Sequence, residues 1–387
     1  MAHRDAYIIA ARRTALGRVG GLHARRRIED LTAPVITTAL GDCRLNPAVV
    51  DGIILGNATE PSNPARLIAL AAGLPGTTDA ITIDRQCASG LDAIILACRM
   101  IGSGDAEVLI AGGAEALSTA PWRIARPKHP HQMPRFIGYE PLTADTADEP
   151  QLFEASEKLA RELQLARDAL DGAAMASHQA ALAAREAKRF VGEIVPLKHS
   201  SEEAKDELVR DLDPNYLAEL SPFNGNGPLT VGNTSPQADG AAIVVVVSRR
   251  IWTELGEPRA LRLVRAASLG VTADREASAA IAVTEKLAGL EPSLDVTKVG
   301  AIETSETSSA QVLAFARRFA IDPSSINRSG GAVARGHPLA ASGAVLAVRL
   351  FSDLIRLPLP GTGKGSHGLA TLSAIGGLGT AALFEAI

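Results

Sequence analysis

The chain has 387 residues, of which 46% are hydrophobic, 21% charged and 3% aromatic, and its formal net charge at pH 7 is −4. This composition argues against disorder, and the small charge gives no reason to expect a nucleic acid or an anionic membrane as partner. No apolar run reaches the roughly 18 residues of a membrane-spanning helix, and the N-terminus lacks the long apolar region of a signal peptide. Three cysteines without metal-type spacing indicate a reducing compartment, so we expect a cytoplasmic protein without a metal site.

Short apolar runs alternate with Ala-rich helical stretches along the chain. Strands are predicted at Ala6–Ala10, Gly52–Leu55, Ala80–Asp84, Val108–Gly112, Ile243–Ser248, Leu261–Ala267, Val299–Glu303 and Ala370–Ile375. Helices are predicted at Asp30–Leu40, Ser89–Ile101, Ser309–Phe319 and Ala340–Arg356. Several strand runs are continuously apolar, which is typical of a sheet that helices cover on both faces. The alternation therefore predicts a layered α/β architecture.

The two ends of the chain repeat one pattern. The segments IDRQCASG (83–90) and INRSGGAV (326–333) each lead into a helix of small residues and then into a strand that ends in Gly-Gly. Two copies of a βαβ-type unit predict two similar domains that pack together, with a site where their strand ends meet.

The middle of the chain does not follow this alternation of strands and helices. It opens with a basic, Pro-rich segment, continues with a helical region over Glu154–Phe190 for which we predict a stop at Gly172, and closes through a turn-rich stretch. We interpret it as an insertion that lies over the site. The predicted domains are 1–117, completed by about 236–255, then a loop domain over 118–235, and a second half-domain over 256–387.

A cysteine stands at the junction of a predicted strand and a predicted helix. In ITIDRQCASGLDA, Cys87 faces the positive end of the helix dipole and unpaired backbone N–H groups, which lower a thiol pKa from about 8.5. The same N–H groups can stabilise an oxyanion. The competing interpretation is a small buried cysteine that fills space, and this motif alone leaves both open. Cys98, inside the same helix, is predicted to be a core residue.

A histidine occupies the matching motif of the second half. In GGAVARGHPLAASGA, His337 precedes Pro338, which suits the first turn of a helix. A lone histidine is usually structural or solvated, but this one stands in the repeat-mate of the cysteine motif. A cysteine and a histidine brought together across two domains form an activated thiol nucleophile.

These motifs resemble those of the thiolase family over nearly the whole chain. The matching stretches are IDRQCASGLDA, IAGGAEALS, LTVGNTSPQADGAA, IETSETSSAQ, GGAVARGHPLAASGA and GLATLSAIGGLG, in the order and spacing of the family. The resemblance implies two similar half-domains in a five-layered α/β/α/β/α arrangement with an inserted loop domain, assembled as homodimers or homotetramers. It also implies coenzyme A thioesters as substrates and no resident metal, nicotinamide or flavin.

The resemblance also implies roles for individual residues. Cys87 matches the cysteine that takes the acyl group, and His337 matches the histidine that activates it and helps to hold the thioester oxygen. Ser235 matches a serine that lines the pantetheine channel. In the basic segment, Arg123 and Arg126 are candidates to meet the phosphates of coenzyme A, although a solvated basic loop explains them equally well.

Several positions depart from the family pattern. Ser305 stands where an asparagine fixes the water of an oxyanion hole, and Ser373 stands where a second cysteine moves the α-proton. A serine hydroxyl is a poor general base at neutral pH. Ile375 falls where a glycine N–H usually completes the other oxyanion hole, unless a one-residue shift places Gly376 there. The pocket-shaping loops also differ and read FEASE and REASAAIAV, so we expect a substrate other than a plain acetyl or acetoacetyl group.

Three functions fit these observations. We expect a thiolase-like acyltransferase that loads Cys87 from an acyl-CoA or related thioester and passes the acyl group to an altered acceptor, with Ser305 and Ser373 as hydrogen-bonding groups. The alternative is a conventional 3-ketoacyl-CoA thiolase or acetyl-CoA acetyltransferase, in which Ser373 or a water replaces the missing cysteine. A third possibility is a degenerate subunit that binds coenzyme A or serves as a scaffold without catalysis.

Overall fold

The computed structural model of the protein describes residues 5–137, 153–197 and 204–387. The described strands are β1 Ala6–Arg13, β2 Gly17–Arg18, β3 Gly52–Gly56, β4 Asp79–Ile83, β5 Val108–Glu115, β6 Ile124–Ala125, β7 Arg135–Phe136, β8 Ala238–Ser248, β9 Leu261–Gly270, β10 Ala301–Thr304, β11 His367–Ala374 and β12 Leu378–Ala386. The described α-helices are α1 Ile28–Asp42, α2 Pro64–Ala71, α3 Ser89–Ser103, α4 Glu154–Glu162, α5 Arg167–Glu186, α6 Pro214–Glu219, α7 Arg249–Glu254, α8 Ala279–Leu290, α9 Ser309–Phe319, α10 Ala332–Arg335 and α11 Ser342–Phe351. All eight predicted strands and four predicted helices are confirmed within a few residues, whereas the short strands β2, β6 and β7 and the long strand β12 were not predicted.

The strands form two half-sheets that meet edge to edge. The path runs β10-β11-β12-β9-β1-β8-β5-β3-β4, with β2 on the side of β8. In the first half, β3 pairs in parallel with β4 and β5, while β8 runs antiparallel to β5 and β1. In the second half, β10 and β11 are parallel, and β12 is antiparallel to β11 and β9. Two residue pairs, Tyr7 with Arg262 and Ile8 with Leu261, join the halves.

The side chains of these sheets divide into three cores. One core packs α3 and α11 between the two half-sheets, a second packs α1 and α2 on the outer face of the first half-sheet, and a third packs α8 and α9 on the outer face of the second. Strand β8 is fully buried, and its alternate residues point into the central core (Val244, Val246) and the outer core (Ile243, Val245, Val247). The result is the predicted five-layered α/β/α/β/α order.

The central helices α3 and α11 approach closely because glycines lie at their contact. A Cβ on Gly90 would lie 2.6 Å from the carbonyl oxygen of Ala340, and a Cβ on Gly343 would lie 2.7 Å from the Cβ of Leu91. Each position therefore requires glycine. Since Cys87 precedes α3 and His337 precedes α11, this packing brings the two motifs of the sequence repeat together.

The inserted middle is anchored to both halves by buried ion pairs. Arg13 of β1 contacts Glu193 and Asp206 of the insertion, each at 2.6 Å, and Arg349 of α11 also contacts Glu193. All four side chains are almost fully buried, and a buried charge is stable only with such partners. The division into three domains at the predicted boundaries stays a prediction.

One prediction within the insertion is wrong. Gly172 does not stop a helix, because α5 runs through it from Arg167 to Glu186. The interruption of the helical region lies earlier, between the end of α4 at Glu162 and the start of α5. A single glycine inside a helix costs only about 1 kcal/mol relative to alanine, which the packing of α5 against α9 and α10 outweighs. None of the helices in the described ranges is both long and apolar enough to cross a membrane.

Candidate active site

Cys87 and His337 form a buried pair between the two halves of the molecule. The Nε2 atom of His337 lies 3.0 Å from the Sγ atom of Cys87. The two residues are 2% and 6% exposed, so the pair is shielded from bulk water. This is the contact that an activated thiol nucleophile requires.

The turn before α3 fixes the position of Cys87. Gln86 adopts a positive φ of 54°, and its N–H donates to Asp84 Oδ1 at 2.9 Å. The hydroxyl of Ser89 accepts from Arg85 N–H at 2.8 Å and donates to the carbonyl of Gln86 at 2.6 Å. These bonds stabilise a backbone conformation that a residue with a side chain rarely adopts. They place the sulfur at the N-terminal end of α3, which has no side-chain cap.

His337 is held by its backbone and by its second ring nitrogen. Its N–H donates to the carbonyl of Pro236 at 2.8 Å, and its carbonyl accepts from Ala238 N–H at 3.1 Å. The start of β8 in the first half therefore positions the histidine of the second half. Its Nδ1 atom lies 3.0 Å from the hydroxyl oxygen of Ser342, in the first turn of α11. This contact fixes the ring orientation.

Burial keeps the resting pair neutral. Burial raises the pKa of the Cys87 thiol to about 12, against the lowering effect of two backbone N–H groups, and the carboxylates of Glu276 and Glu115 raise it further. Burial also lowers the pKa of His337 to about 4. At neutral pH the thiol is therefore protonated and the imidazole neutral. In the tautomer that carries its proton on Nδ1, Nδ1–H donates to Ser342 Oγ and Nε2 can accept from Sγ–H.

Two main-chain N–H groups lie near the sulfur. Those of Cys87 itself and of Ile375 are close enough to lower its pKa. A main-chain donor is therefore present at Ile375 although the family glycine is replaced there, because the donor belongs to the backbone and not to the side chain. The Gly376 N–H instead donates to Glu276 Oε2 at 3.1 Å. Paired N–H groups at the attacking atom are suited to hold the oxyanion that forms when a thioester carbonyl is attacked.

A pocket of about 620 Å³, part of which is open to solvent, lies in front of this pair. Four of the predicted site residues line it together, namely Cys87, His337, Ser235 and Ser373. The other lining residues include Phe153 and Ser156 at the start of the insertion's helices, together with Gln237, Glu276, Thr307, Gln311, Leu339, Ala374 and Ile375. The insertion and both half-domains therefore all contribute to one pocket.

Ser373 and Ser305 lie deeper in the site. The Oγ atom of Ser373 accepts from Ala280 N–H at 2.9 Å and lies 3.5 Å from the carbonyl of Ala277. The Oγ atom of Ser305 accepts from Ser373 N–H at 3.0 Å. Ser305 lines a smaller cavity on the far side of His337 and does not line the main pocket.

The two predicted arginines are not part of this pocket. Arg123 and Arg126 are exposed and lie in and beside the hairpin of β6 and β7. The guanidinium of Arg123 donates to the carbonyl of Ala58 at 2.8 Å. A contact of either arginine with the phosphates of coenzyme A stays a prediction.

Among the polar residues of the site that sequence reasoning missed, two bear on the chemistry. Ser342 orients His337, and Glu276 is a carboxylate on the pocket wall. Ser342 stands five residues after the histidine in a motif already singled out, so its position was available from the sequence. Glu276 lies in REASAAIAV, a loop expected to shape the acyl pocket, but its carboxylate was not distinguished from its neighbours.

Comparison with known proteins decides the family. The N-terminal domain model of thiolase matches residues 6–250, and the C-terminal domain model matches residues 260–386. The chain belongs to the thiolase family. Together the two models cover nearly all of this thiolase, in agreement with the span of motifs found in the sequence.

Relatives of this thiolase share its full length. Acetyl-CoA acetyltransferase of Pseudomonas aeruginosa is 35% identical over 398 residues, covering 98% of both chains. VraB of Staphylococcus epidermidis, which carries a provisional description as an acetyl-CoA C-acetyltransferase, is 35% identical over 383 residues, covering 98% of this chain and 97% of its own. The crystal structure of the Bacillus anthracis acetyl-CoA acetyltransferase superposes with a TM-score of 0.90 at 33% identity, over 100% of both chains. The fold is therefore that of a thiolase, and the protein is an acyltransferase.

Proposed function

We propose that the protein is a thiolase of the acetyl-CoA C-acetyltransferase type, which cleaves or forms 3-oxoacyl-CoA through an acyl group carried on Cys87. The observation that carries the proposal is the buried contact of 3.0 Å between Cys87 and His337, beside two main-chain N–H donors and at the floor of a pocket. The names of the relatives support this conventional activity over the altered acceptor expected from the sequence.

The geometry supports a direct acylation step. As Sγ attacks the carbonyl carbon of the thioester or ketone, the thiol proton passes to Nε2 of His337, and the carbonyl electrons move onto oxygen. The N–H groups of Cys87 and Ile375 lie at the attacking sulfur, where they stabilise that oxyanion. The intermediate then collapses to the acyl-cysteine and expels the leaving group. In the cleavage direction this group is the enolate of acetyl-CoA.

The neutral resting pair fits this step. A pre-formed thiolate–imidazolium pair would place two charges in a site that burial keeps apolar. Transferring the proton during the attack avoids that cost, because charge then develops only where donors already point. Ser342 supports the transfer by accepting from Nδ1–H, which leaves Nε2 as the acceptor for the thiol proton.

The test is thiolysis of a series of 3-oxoacyl-CoA thioesters, from acetoacetyl-CoA to longer chains, with free coenzyme A as acceptor. We expect acetyl-CoA and the shortened acyl-CoA in equal amounts, with the rate across the series giving the preferred chain length. Cys87→Ala should show no thiolysis above the uncatalysed rate. A folded native protein that binds coenzyme A but cleaves no member of the series would contradict the proposal and favour a non-catalytic subunit.

A further inference from the structure

The thiolase reaction needs a second proton transfer, at the carbon next to the thioester carbonyl, and Cys87 and His337 are already used for acylation. Among the described residues that line the pocket, three carry ionisable side chains: Cys87, His337 and Glu276. A carboxylate is an effective general base or acid when it can reach the proton that moves. The position of Glu276 therefore decides whether it can serve.

Glu276 lines the same pocket as Cys87 and His337, and it is hydrogen-bonded to the residue that follows Ile375. It belongs to the short 3₁₀ segment Ala273–Ser278, and its Oε2 atom accepts from Gly376 N–H at 3.1 Å. Its charge also raises the pKa of the Cys87 thiol, which places the carboxylate within electrostatic range of the sulfur. A group bound to Cys87 thus shares one pocket with both His337 and Glu276.

Ser373, which stands at the position of the family's second cysteine, has its hydroxyl engaged elsewhere. Its oxygen accepts from Ala280 N–H at 2.9 Å in the first turn of α8. The same hydroxyl lies 3.5 Å from the carbonyl of Ala277. These contacts tie β11 to the segment that carries Glu276, so the hydroxyl anchors that segment.

Two buried glutamates near the site are engaged in hydrogen bonds within the fold. Glu115 is buried, and its two oxygens accept from Asn57, Ala58 N–H, Thr59 and Ala340 N–H. Glu306 is buried and accepts from Ser177 and Val333 N–H. Neither residue lines the pocket.

We propose that Glu276 is the general acid and base that moves the α-proton of the acetyl group of acetyl-CoA, in the place of the family's second cysteine. This rests on the proposed function. In condensation, the Glu276 carboxylate takes one proton from the α-carbon, and the resulting enolate attacks the acyl carbon on Cys87. The new C–C bond forms and the C–S bond to Cys87 breaks. The sulfur regains a proton through His337, while protonated Glu276 releases the α-proton to solvent and returns to the carboxylate. In cleavage, protonated Glu276 gives its proton to the departing enolate.

The surroundings of Glu276 suit a proton that must move in both directions. Burial raises its pKa from the ordinary value of a glutamate, against the lowering effect of the Gly376 and Gly377 N–H groups. A raised pKa brings the carboxylate closer to neutral pH, where a general acid–base is most effective. The hydrogen bond from the Gly376 N–H keeps the side chain oriented without neutralising it.

The experiment measures deuterium incorporation into the methyl group of acetyl-CoA in heavy water, by mass spectrometry. Intact-protein mass in the same samples measures the acyl group on Cys87. Glu276→Gln preserves shape and removes the base, so we expect exchange to fall by about 10²–10⁴-fold while Cys87 is still acylated. Asp274→Asn, in the same segment but at the surface beside Lys158, is the matched control and should exchange at the native rate.

Each result separates this proposal from the proposed function. Native protein that acquires no acyl group on Cys87 would contradict the proposed function itself. Native protein that is acylated but exchanges no deuterium would overturn the role of Glu276 alone, as would Glu276→Gln that exchanges within about threefold of the native rate or that fails to acylate Cys87. Ser373→Ala should keep exchange within about tenfold, and a loss as large as that of Glu276→Gln would assign the base to Ser373 instead.

Discussion

The two walls of the Cys87 pocket differ in what their polar side chains contact. On the wall of α3 and α11, Cys87 and His337 contact each other directly, and backbone hydrogen bonds fix both of them. On the wall of β11, the position of the second family cysteine holds Ser373, whose hydroxyl is bound to the start of α8. On the first wall, the sulfur of Cys87 and the imidazole of His337 are available to substrate. On the second wall, the hydroxyl of Ser373 is hydrogen-bonded within the fold.

This difference separates the two half-reactions of a thiolase. In the proposed function, acylation depends on the first wall, where Cys87 and His337 both match the family motif. The step at the α-carbon depends on the second wall, where the ionisable group is Glu276 and comes from a neighbouring segment. On our proposal, the catalytic group of this step comes from a different part of the chain than the motif indicates.

Removing the base of the first wall should have the largest effect. His337→Ala leaves Cys87 with no acceptor for its proton, and we expect the rate of acylation to fall by about 10²–10⁴-fold. Rapid mixing with acyl-CoA, quenching at set times and intact-protein mass spectrometry measure this rate. His367→Ala, at the start of β11 and outside the pocket, is the control and should acylate at the native rate. Rapid acylation of His337→Ala would mean that the pair does not work as described.

The protonation state of the first wall predicts a pH dependence. Because the pKa of Cys87 is raised to about 12, the thiolate fraction of the substrate-free protein should rise about tenfold per pH unit up to pH 10. The rate at which iodoacetamide alkylates Cys87 should follow the thiolate fraction and increase by about 10³-fold from pH 7 to pH 10. Cys87→Ala corrects for labelling of Cys43 and Cys98. A plateau below pH 8 would instead indicate a thiolate–imidazolium pair.

Removing the hydrogen bond between Ser342 and His337, while keeping the imidazole, should have a modest effect on the acylation rate. Ser342→Ala deletes the acceptor for Nδ1–H of His337, so the ring loses one hydrogen bond worth about 1 kcal/mol. We expect acylation to slow by about fivefold, with no change in the affinity for coenzyme A. Ser342→Thr retains the hydroxyl and should recover most of the rate. An unchanged rate in Ser342→Ala would show that the backbone of His337 alone orients the ring.

The smallest effect is expected on the second wall. Ser373→Cys restores the family residue, but with Glu276 as the base the thiolysis rate should change by less than about tenfold. The measurement is steady-state thiolysis of acetoacetyl-CoA. A gain of several hundredfold would show that the native protein has no effective base at this position. That result would favour the acyltransferase with an altered acceptor over the conventional thiolase.

Much of the first wall could be predicted from the sequence because its signals are local. A strand, a turn and a glycine-containing helix place Cys87, and the repeat places His337 beside it. The bounds of α9 were predicted to the residue, since its apolar spacing is regular. Strand β12 was missed because it follows the Gly-Gly turn after β11 directly, and the two were not separated.

The second wall could not be predicted because its contacts are distant in sequence. The engagement of Ser373 depends on Ala280, 93 positions away, and the bond from Gly376 to Glu276 spans 100 positions. No local pattern reports either contact. The roles of Ser235, Ser305, Arg123 and Arg126, the oligomeric state, the cytoplasmic location and the lack of a resident cofactor stay predictions.

The role of Cys87 as the acyl carrier is tested most directly by the mass of the intact protein after mixing with acetyl-CoA and with acetoacetyl-CoA. We expect a covalent increase of one acetyl group, located on the peptide that contains Cys87 and absent in Cys87→Ala. Addition of free coenzyme A should remove it and release acetyl-CoA. A native protein that gains no mass, although iodoacetamide at high pH still labels Cys87, would contradict the claim that Cys87 carries the acyl group.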